Sequence, residues 1–269
     1  MCATCGCGES AGVRVSDSAH SHDHSAHSHD HSVHSHDQGD LHHHPHSETV
    51  VLEQRVLAKN DELAARNREW MRTRGISALN VMSSPGAGKT TLLVRTINDL
   101  GGRFPIAVIE GDQETQLDAE RVRATGSTVV QVNTGAGCHL DATMIDRALA
   151  VSRPVDGSLL LIENVGNLVC PALFDLGEEG KVVLISTPEG ADKPVKYPHI
   201  FAVADLVIIN KIDLLPYVDF DVEVCVRQAE ALNPAVRVMT LSATTGEGLS
   251  EWYSWIGTRL GRAPVAVDK

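Results

Sequence analysis

Eight residues restrict this chain more than any others: Ser83-Ser84-Pro85-Gly86-Ala87-Gly88-Lys89-Thr90. An apolar run suited to a strand, Ala78–Met82, precedes them, and a helical pattern over 90–100 follows. Glycines let the backbone curl so that several N–H groups converge on one point, and the helix N-terminus adds its positive end. A strand, a tight glycine turn and a helix opening on Lys-Thr form the context of a phosphate-binding loop. The pattern usually begins with Gly; Ser83 stands there, while Gly-x-Gly-Lys-Thr-Thr is intact. Gly86, Ala87, Gly88, Lys89, Thr90 and Thr91 are the candidate phosphate contacts. Lys89 is expected to reach the β- and γ-phosphates, and the Thr90 hydroxyl to ligate Mg²⁺.

The rest of the chain repeats this alternation. Candidate strands are Ala78–Met82, Ile106–Glu110, Thr128–Val132, Ser158–Glu163, Lys181–Ser186, Asp205–Asn210 and Arg237–Leu241. Candidate helices cover 90–100, 114–123, 141–150, 219–232 and 248–260. Nearly continuous apolar strands between helices predict an α/β fold of the P-loop NTPase type, a mostly parallel sheet with helices on both faces. Residues 50–74 read as an amphipathic helix with Leu52, Val56, Leu63 and Trp70 on one face and Gly75 as its stop. The expected organisation is a tail at 1–49, a helix at 50–75 and a nucleotide-hydrolysing domain at 76–269.

The choice of base rests on Asn210-Lys211-Ile212-Asp213, at the end of an apolar strand. A carboxylate at Asp213 can accept from both guanine N1–H and the N2 amino group, a donor pair that adenine lacks. Buried polar pairing of this kind rejects the wrong base by factors of ~10⁴ or more. The Lys211 stem can lie along the ring, and Ser242-Ala243, after a later strand, suits a loop contacting guanine O6. Glu163-Asn164-Val165-Gly166 follows the strand Leu159–Ile162. Glu163 is a candidate Mg²⁺ carboxylate and the Gly166 N–H a candidate γ-phosphate sensor. Asp112 can also reach the metal, since Mg²⁺ takes one or two carboxylates plus phosphate oxygens. No obvious water-activating residue stands out; Gln113 and Gln116 are candidates, so slow intrinsic hydrolysis is expected.

Of 6 cysteines, Cys2, Cys5 and Cys7 crowd the first seven residues. Twelve of the 14 histidines lie between His20 and His46, in a heptapeptide that repeats at 19–25 and 26–32. The tail has almost nothing to bury and is expected to be disordered without metal. Three thiolates within a short span can wrap a late first-row metal; a redox pair or a chance cluster are the alternatives. Imidazoles in a flexible chain suit Ni²⁺, Cu²⁺ or Zn²⁺. Cys138-His139, after the strand at 128–132, and Cys170, seven residues past Glu163, make a third candidate set. On its own this set is weak, because a buried Cys is more often a small apolar residue. Cys225, on a helix face with Val222 and Val226, reads as core.

The formal net charge of -12 disfavours nucleic acid as a partner. No apolar stretch of about 18 residues occurs, so no membrane span is expected. Nor is a secretory signal expected. Reduced thiols in the cytoplasm fit the scattered cysteines.

Together these segments resemble the hydrogenase nickel-incorporation GTPase family, HypB. The resemblance rests on Cys-x-x-Cys-Gly-Cys at the N-terminus, the His-rich run and Ser-Ser-Pro-Gly-Ala-Gly-Lys-Thr-Thr. It also includes Gly-Cys-His-Leu-Asp at 137–141, Glu-Asn-Val-Gly-Asn-Leu-Val-Cys-Pro at 163–171 and Asn-Lys-x-Asp. It implies a dimerising GTPase of the signal-recognition-like branch, active in [NiFe]-hydrogenase maturation. It implies nickel at Cys2, Cys5 and Cys7, and a second Ni²⁺ or Zn²⁺ site at Cys138, His139 and Cys170 near a GTP-dependent homodimer interface. A small nickel-insertion accessory protein and the hydrogenase large-subunit precursor are the implied partners. The urease accessory relatives normally carry Cys-Pro-His where this chain has Gly-Cys-His. The long His repeat keeps an alternative open, a nickel storage and detoxification protein with a secondary G domain.

Overall fold

The computed structural model describes residues 45–112, 117–135 and 137–261. The N-terminal cysteines Cys2, Cys5 and Cys7, the histidine run to His44, and Gln113 and Gln116 lie outside the described residues.

Seven strands form one sheet: β1 (Ser77–Ser83), β2 (Ile106–Asp112), β3 (Thr128–Asn133), β4 (Leu159–Gly166), β5 (Gly180–Ser186), β6 (Leu206–Asn210) and β7 (Arg237–Thr240). Their order is β3-β2-β4-β1-β5-β6-β7, and every pairing is parallel. The helices are α1 (Pro45–Arg72), α2 (Lys89–Leu100), α3 (Leu117–Arg123), α4 (Ala142–Ser152), α5 (Lys193–Lys196), α6 (Pro198–Ala202), α7 (Val222–Leu232) and α8 (Leu249–Arg259).

Both sheet faces are covered, which is why the strands read as unbroken apolar runs. On one face Leu79, Val81, Val108, Leu159, Leu161 and Leu184 pack against Leu93 and Ile97 of α2 and Trp252 and Ile256 of α8. On the other, Ala78, Ile109, Leu160 and Ile162 meet Met71 of α1 and Ile145 and Leu149 of α4. Val183, Ile185 and Val207 meet Phe201 of α6 and Cys225 and Ala229 of α7. Each such fully buried aliphatic side chain stabilises the fold by roughly 1.5–3 kcal/mol. Cys225 is core, as expected, and burial pushes its thiol up to about 11. Carboxylates start two of the helices: Asp141 accepts from the Met144 N–H at 2.8 Å and Asp221 from the Val224 N–H at 2.9 Å. Each cap is worth about 1 kcal/mol.

Two expectations are corrected. The buried stripe of α1 is Asn60, Ala64, Asn67 and Met71, while Val56 is 50% exposed. Carboxamides hold the helix beside the apolar contacts that Met71 and the half-buried Trp70 make with the core. Asn67 donates to the carbonyls of Ala142 (2.9 Å) and Leu176 (3.2 Å). Asn60 donates to Asp175 O and accepts from the Ala142 N–H. Second, β4 does not stop at Ile162 or Glu163 but runs on to Gly166, because Gly166 still pairs with Ser83 past a register shift at which β4 carries one residue more than β1.

Candidate functional site

The glycine-rich loop leaves β1 at the carboxyl end of the sheet, where open parallel sheets bind their ligands. Gly86 has φ 74° and Gly88 φ 102°, a region that favours residues without a Cβ. A Cβ on Gly88 would also lie 2.5 Å from Asn210 Nδ2. Asn210 joins three segments. Its Nδ2 donates to Ala87 O at 2.9 Å, and its Oδ1 accepts from the Ala243 N–H at 3.1 Å. Lys211 Nζ donates to Gly86 O at 2.7 Å. Lys89 Nζ donates to Ser83 Oγ at 2.8 Å, and Ser84 Oγ to Glu189 Oε1 at 2.6 Å. Burial lowers the Lys89 pKa against the opposing pull of Glu163 and neighbouring acids. A cleft of about 290 Å³ lies here, lined by Gly86, Gly88, Lys89, Thr90, Thr91, Glu163, Lys211 and two further residues, Asp118 and Arg121.

At the base end, Lys211 takes a left-handed backbone (φ 62°), held by Thr187 Oγ1 donating to its carbonyl at 2.8 Å. Asp213 follows with Oδ1 buried and without a hydrogen-bond partner. An unpaired buried acceptor is costly, and a ligand presenting N–H donors would satisfy it. Ser242 is fully buried beside Ala243.

Thr90 Oγ1 donates to Glu163 Oε1 at 2.7 Å, while Glu163 Oε2 is buried without a partner. Burial raises the Glu163 pKa, opposed by Lys89 and the Thr90 bond. Glu110 stands beside it, paired in register on the neighbouring strand. Glu110 is 2% exposed and its Oε2 also lacks a partner. Burial first, and Glu163 second, push it up to about 8. Asp112, two residues on, points to the same side of β2 and adds to the negative field at Lys89, but it does not line the cleft. The Thr90 hydroxyl and the Glu163 carboxyl fit a hard divalent cation, because their oxygens converge and Glu163 Oε2 is buried without a partner.

Sequence reasoning missed Glu110 and Arg121. Glu110 was legible as a carboxylate closing an apolar strand, two residues before Asp112. Arg121 donates to Thr91 Oγ1 at 3.2 Å and pairs with Asp118. It is brought to the loop only by the packing of α3, for which no local pattern speaks.

Beyond Glu163 the chain reaches the second group. Gly166 lies against the glycine-rich loop, so that a Cβ there would be 3.1 Å from Pro85 Cα. Cys170 opens a 3-10 turn (Cys170–Ala172) after β4, and Cys138 and His139 lie in the loop after β3. The structure brings these three together: one ligand atom from each lies within 4.8 Å of the others. Cys138 Sγ is 2.9 Å from Cys170 Sγ and 3.8 Å from His139 Nδ1. The His139 ring stacks on Phe174 at 3.9 Å. Burial lowers its pKa, favouring the neutral imidazole that a metal takes. Two thiols and an imidazole at this spacing suit a borderline transition metal and leave room for a fourth donor.

A family model described as CobW/HypB/UreG, nucleotide-binding domain, matches residues 77–240. Hydrogenase maturation factor HypB of Escherichia coli (strain K12) is 45% identical across 96% of this chain and 99% of its own. The chain belongs to the HypB family. The HypB of Azotobacter chroococcum mcd 1 is 55% identical over 82% of this chain and 73% of that one. The crystal structure of HypB from Helicobacter pylori in complex with nickel is 37% identical, with a TM-score of 0.71 over 78% of this chain and 99% of that one. The matched residues take in the seven strands, the glycine-rich loop, Glu163, Asn210 to Asp213 and the Cys138–His139–Cys170 cluster, while Ser242 and Ala243 lie just beyond them. Among the described residues, no helix is long and apolar enough to cross a membrane.

Proposed function

We propose that this HypB-family protein hydrolyses GTP to GDP and phosphate and delivers nickel to the [NiFe]-hydrogenase large-subunit precursor. The reading rests on one observation above the others: Cys138, His139 and Cys170 cluster at the end of the strand that carries Glu163 onto Thr90. Gly86 through Thr91 take the phosphates, with Lys89 countering charge on the transferred phosphoryl group. Asn210, Lys211, Asp213, Ser242 and Ala243 take the guanine, and the Gly166 N–H senses the γ-phosphate. Thr90 and Glu163, with Asp112 nearby, would hold Mg²⁺, which when bound neutralises phosphate charge. Nickel is the cargo of Cys138, His139 and Cys170; Zn²⁺ competes for the same donors.

The proposed organisation has residues 1–49 as a metal-binding tail, with Cys2, Cys5 and Cys7 as nickel ligands, ahead of a helix at 50–75 and a GTPase domain at 76–269. The proposed assembly is a GTP-dependent homodimer acting with a small accessory protein in the cytoplasm. A metal site with three protein donors supports an exchangeable ion rather than a closed structural one.

The direct test is Ni²⁺ affinity of the full chain carrying Cys2→Ser, Cys5→Ser and Cys7→Ser, read by the thiolate-to-nickel absorption band. Histidines give no such band, so it reports Cys138 and Cys170. Affinity is expected to differ between GDP and a non-hydrolysable GTP analogue. Equal affinities would end the gating, since a ligand indifferent to two states shifts neither.

A further inference from the structure

The end of β4 serves two sites by simple alternation. Glu163 faces α2 and accepts from Thr90. Asn164, the next residue, faces the opposite side of the sheet and is 1% exposed. Its Oδ1 accepts from the Leu140 N–H at 3.2 Å, two residues past Cys138, and its Nδ2 donates to Asn80 Oδ1 at 3.2 Å. Asn80 donates in turn to Glu178 Oε1, and Glu178 Oε2 accepts from the Leu176 N–H at 2.7 Å. This buried network holds the far ends of both ligand-bearing loops.

Asn167 holds their near ends. Its Nδ2 donates to the Cys138 carbonyl at 3.3 Å. Its Oδ1 accepts from the N–H of Val169, the residue before Cys170, at 2.8 Å. One carboxamide thus bridges the two backbones whose thiols stand 2.9 Å apart. It sits one peptide unit from Gly166, which touches the glycine-rich loop at Pro85. Asn164 is buried, whereas Asn167 is only half-buried and directly follows Gly166.

We propose that Asn167 is the positioning residue that couples nucleotide state to the Cys138–His139–Cys170 site. Displacement of Gly166 by an occupied phosphate subsite is passed through the Asn167 carboxamide to the separation of Cys138 and Cys170. Asn167 does not line the phosphate cleft, and its carboxamide bonds backbone rather than the thiols or the imidazole. The inference rests on the nucleotide-gated reading above and names the residue that carries it. Two sites, one shared element and a differential contact are what a coupling claim requires.

The experiment uses the full chain with the three tail cysteines replaced by Ser, titrated with Ni²⁺ in GDP and in the GTP analogue. The expected ratio of affinities between the two states is roughly tenfold, an ordinary size for coupling. Asn167→Ala should bring that ratio close to one, while GDP affinity and the absorption band in the GDP state persist. Asn167→Ser supplies a hydroxyl that can still accept from Val169 N–H but cannot reach Cys138 O, so it should lose the ratio as well. A parent ratio of one defeats the gating and the inference together. A parent ratio well above one that both variants retain defeats the inference alone. Retention in the Ser variant only assigns the effect to the Val169 contact and overturns the bridge. Loss of the band in both variants makes Asn167 a structural residue and overturns it too.

Discussion

Glu110 and Glu163 are register partners on neighbouring strands, and each buries one carboxyl oxygen that no hydrogen bond reaches. Glu163 has Thr90 and the field of Lys89 to support its charge. For Glu110, burial and the negative charges of Glu163, Asp118 and Asp112 outweigh the one opposing contribution, from Arg123. Two carboxyls set side by side in a dry site resist ionising together.

A pH dependence of folding follows. The Glu110 carboxyl holds its proton up to about 8 in the folded chain, against 4.5 ordinarily. Between those values the folded state binds the extra proton. Stability is therefore full below the unfolded pKa and is lost as pH rises towards the folded one, by up to about 1.4 kcal/mol per pH unit for one proton. Denaturant unfolding of nucleotide-free protein in chelator, from pH 5 to pH 8, should show this decline. Glu110→Gln should flatten it. A slope that the substitution leaves untouched would place the titrating group elsewhere.

Asp213 presents a buried oxygen without a partner. Asp213→Ala should weaken GDP and GTP binding by roughly 10²-fold or more, because the guanine donor pair then meets nothing. Weak ATP binding should barely change, since adenine offers no such pair. Displacement of a fluorescent guanine nucleotide measures the loss. A decrease of less than about threefold would remove Asp213 from base recognition.

Asn67 is 2% exposed and donates to two carbonyls, Ala142 O and Leu176 O. Asn67→Ala leaves both buried acceptors unpaired on that side, and should cost about 1–3 kcal/mol of unfolding free energy. Substitution of the nearby exposed Val56 should change stability by less than about 0.5 kcal/mol. Comparable effects at both positions would mean that α1 is not held by its carboxamides.

The seven strands were legible because each is an apolar run bounded by turn chemistry, and the glycine-rich loop because its residues act locally. What escaped was set at a distance. Nothing between residues 110 and 163 announces that β2 lies beside β4, so the partnership of Glu110 with Glu163 could not be read along the chain. Read from sequence, this strand ends at Ile162 or Glu163, and polar residues and glycine disfavour strands, yet pairing of Gly166 with Ser83 overrides that preference. The face of α1 was misplaced for a related reason. Asn60 and Asn67 count as polar in any periodic pattern, and only the carbonyls they meet make them interior residues. The Cys138–His139–Cys170 cluster was indicated by the family resemblance more than by its residues, since 32 positions separate the two cysteines.

The alternation at the end of β4 has a consequence for how this protein can vary. Glu163 and Asn164 address two different sites from opposite sides of one strand. Because neighbouring residues of a strand face opposite ways, one residue added between Glu163 and Asn164 would turn Asn164 to the other side of the sheet. Glu163 would keep its place against Thr90, while the Leu140 N–H would lose Asn164 as its acceptor. This stretch can therefore accept some changes of side chain, but its count of residues is fixed.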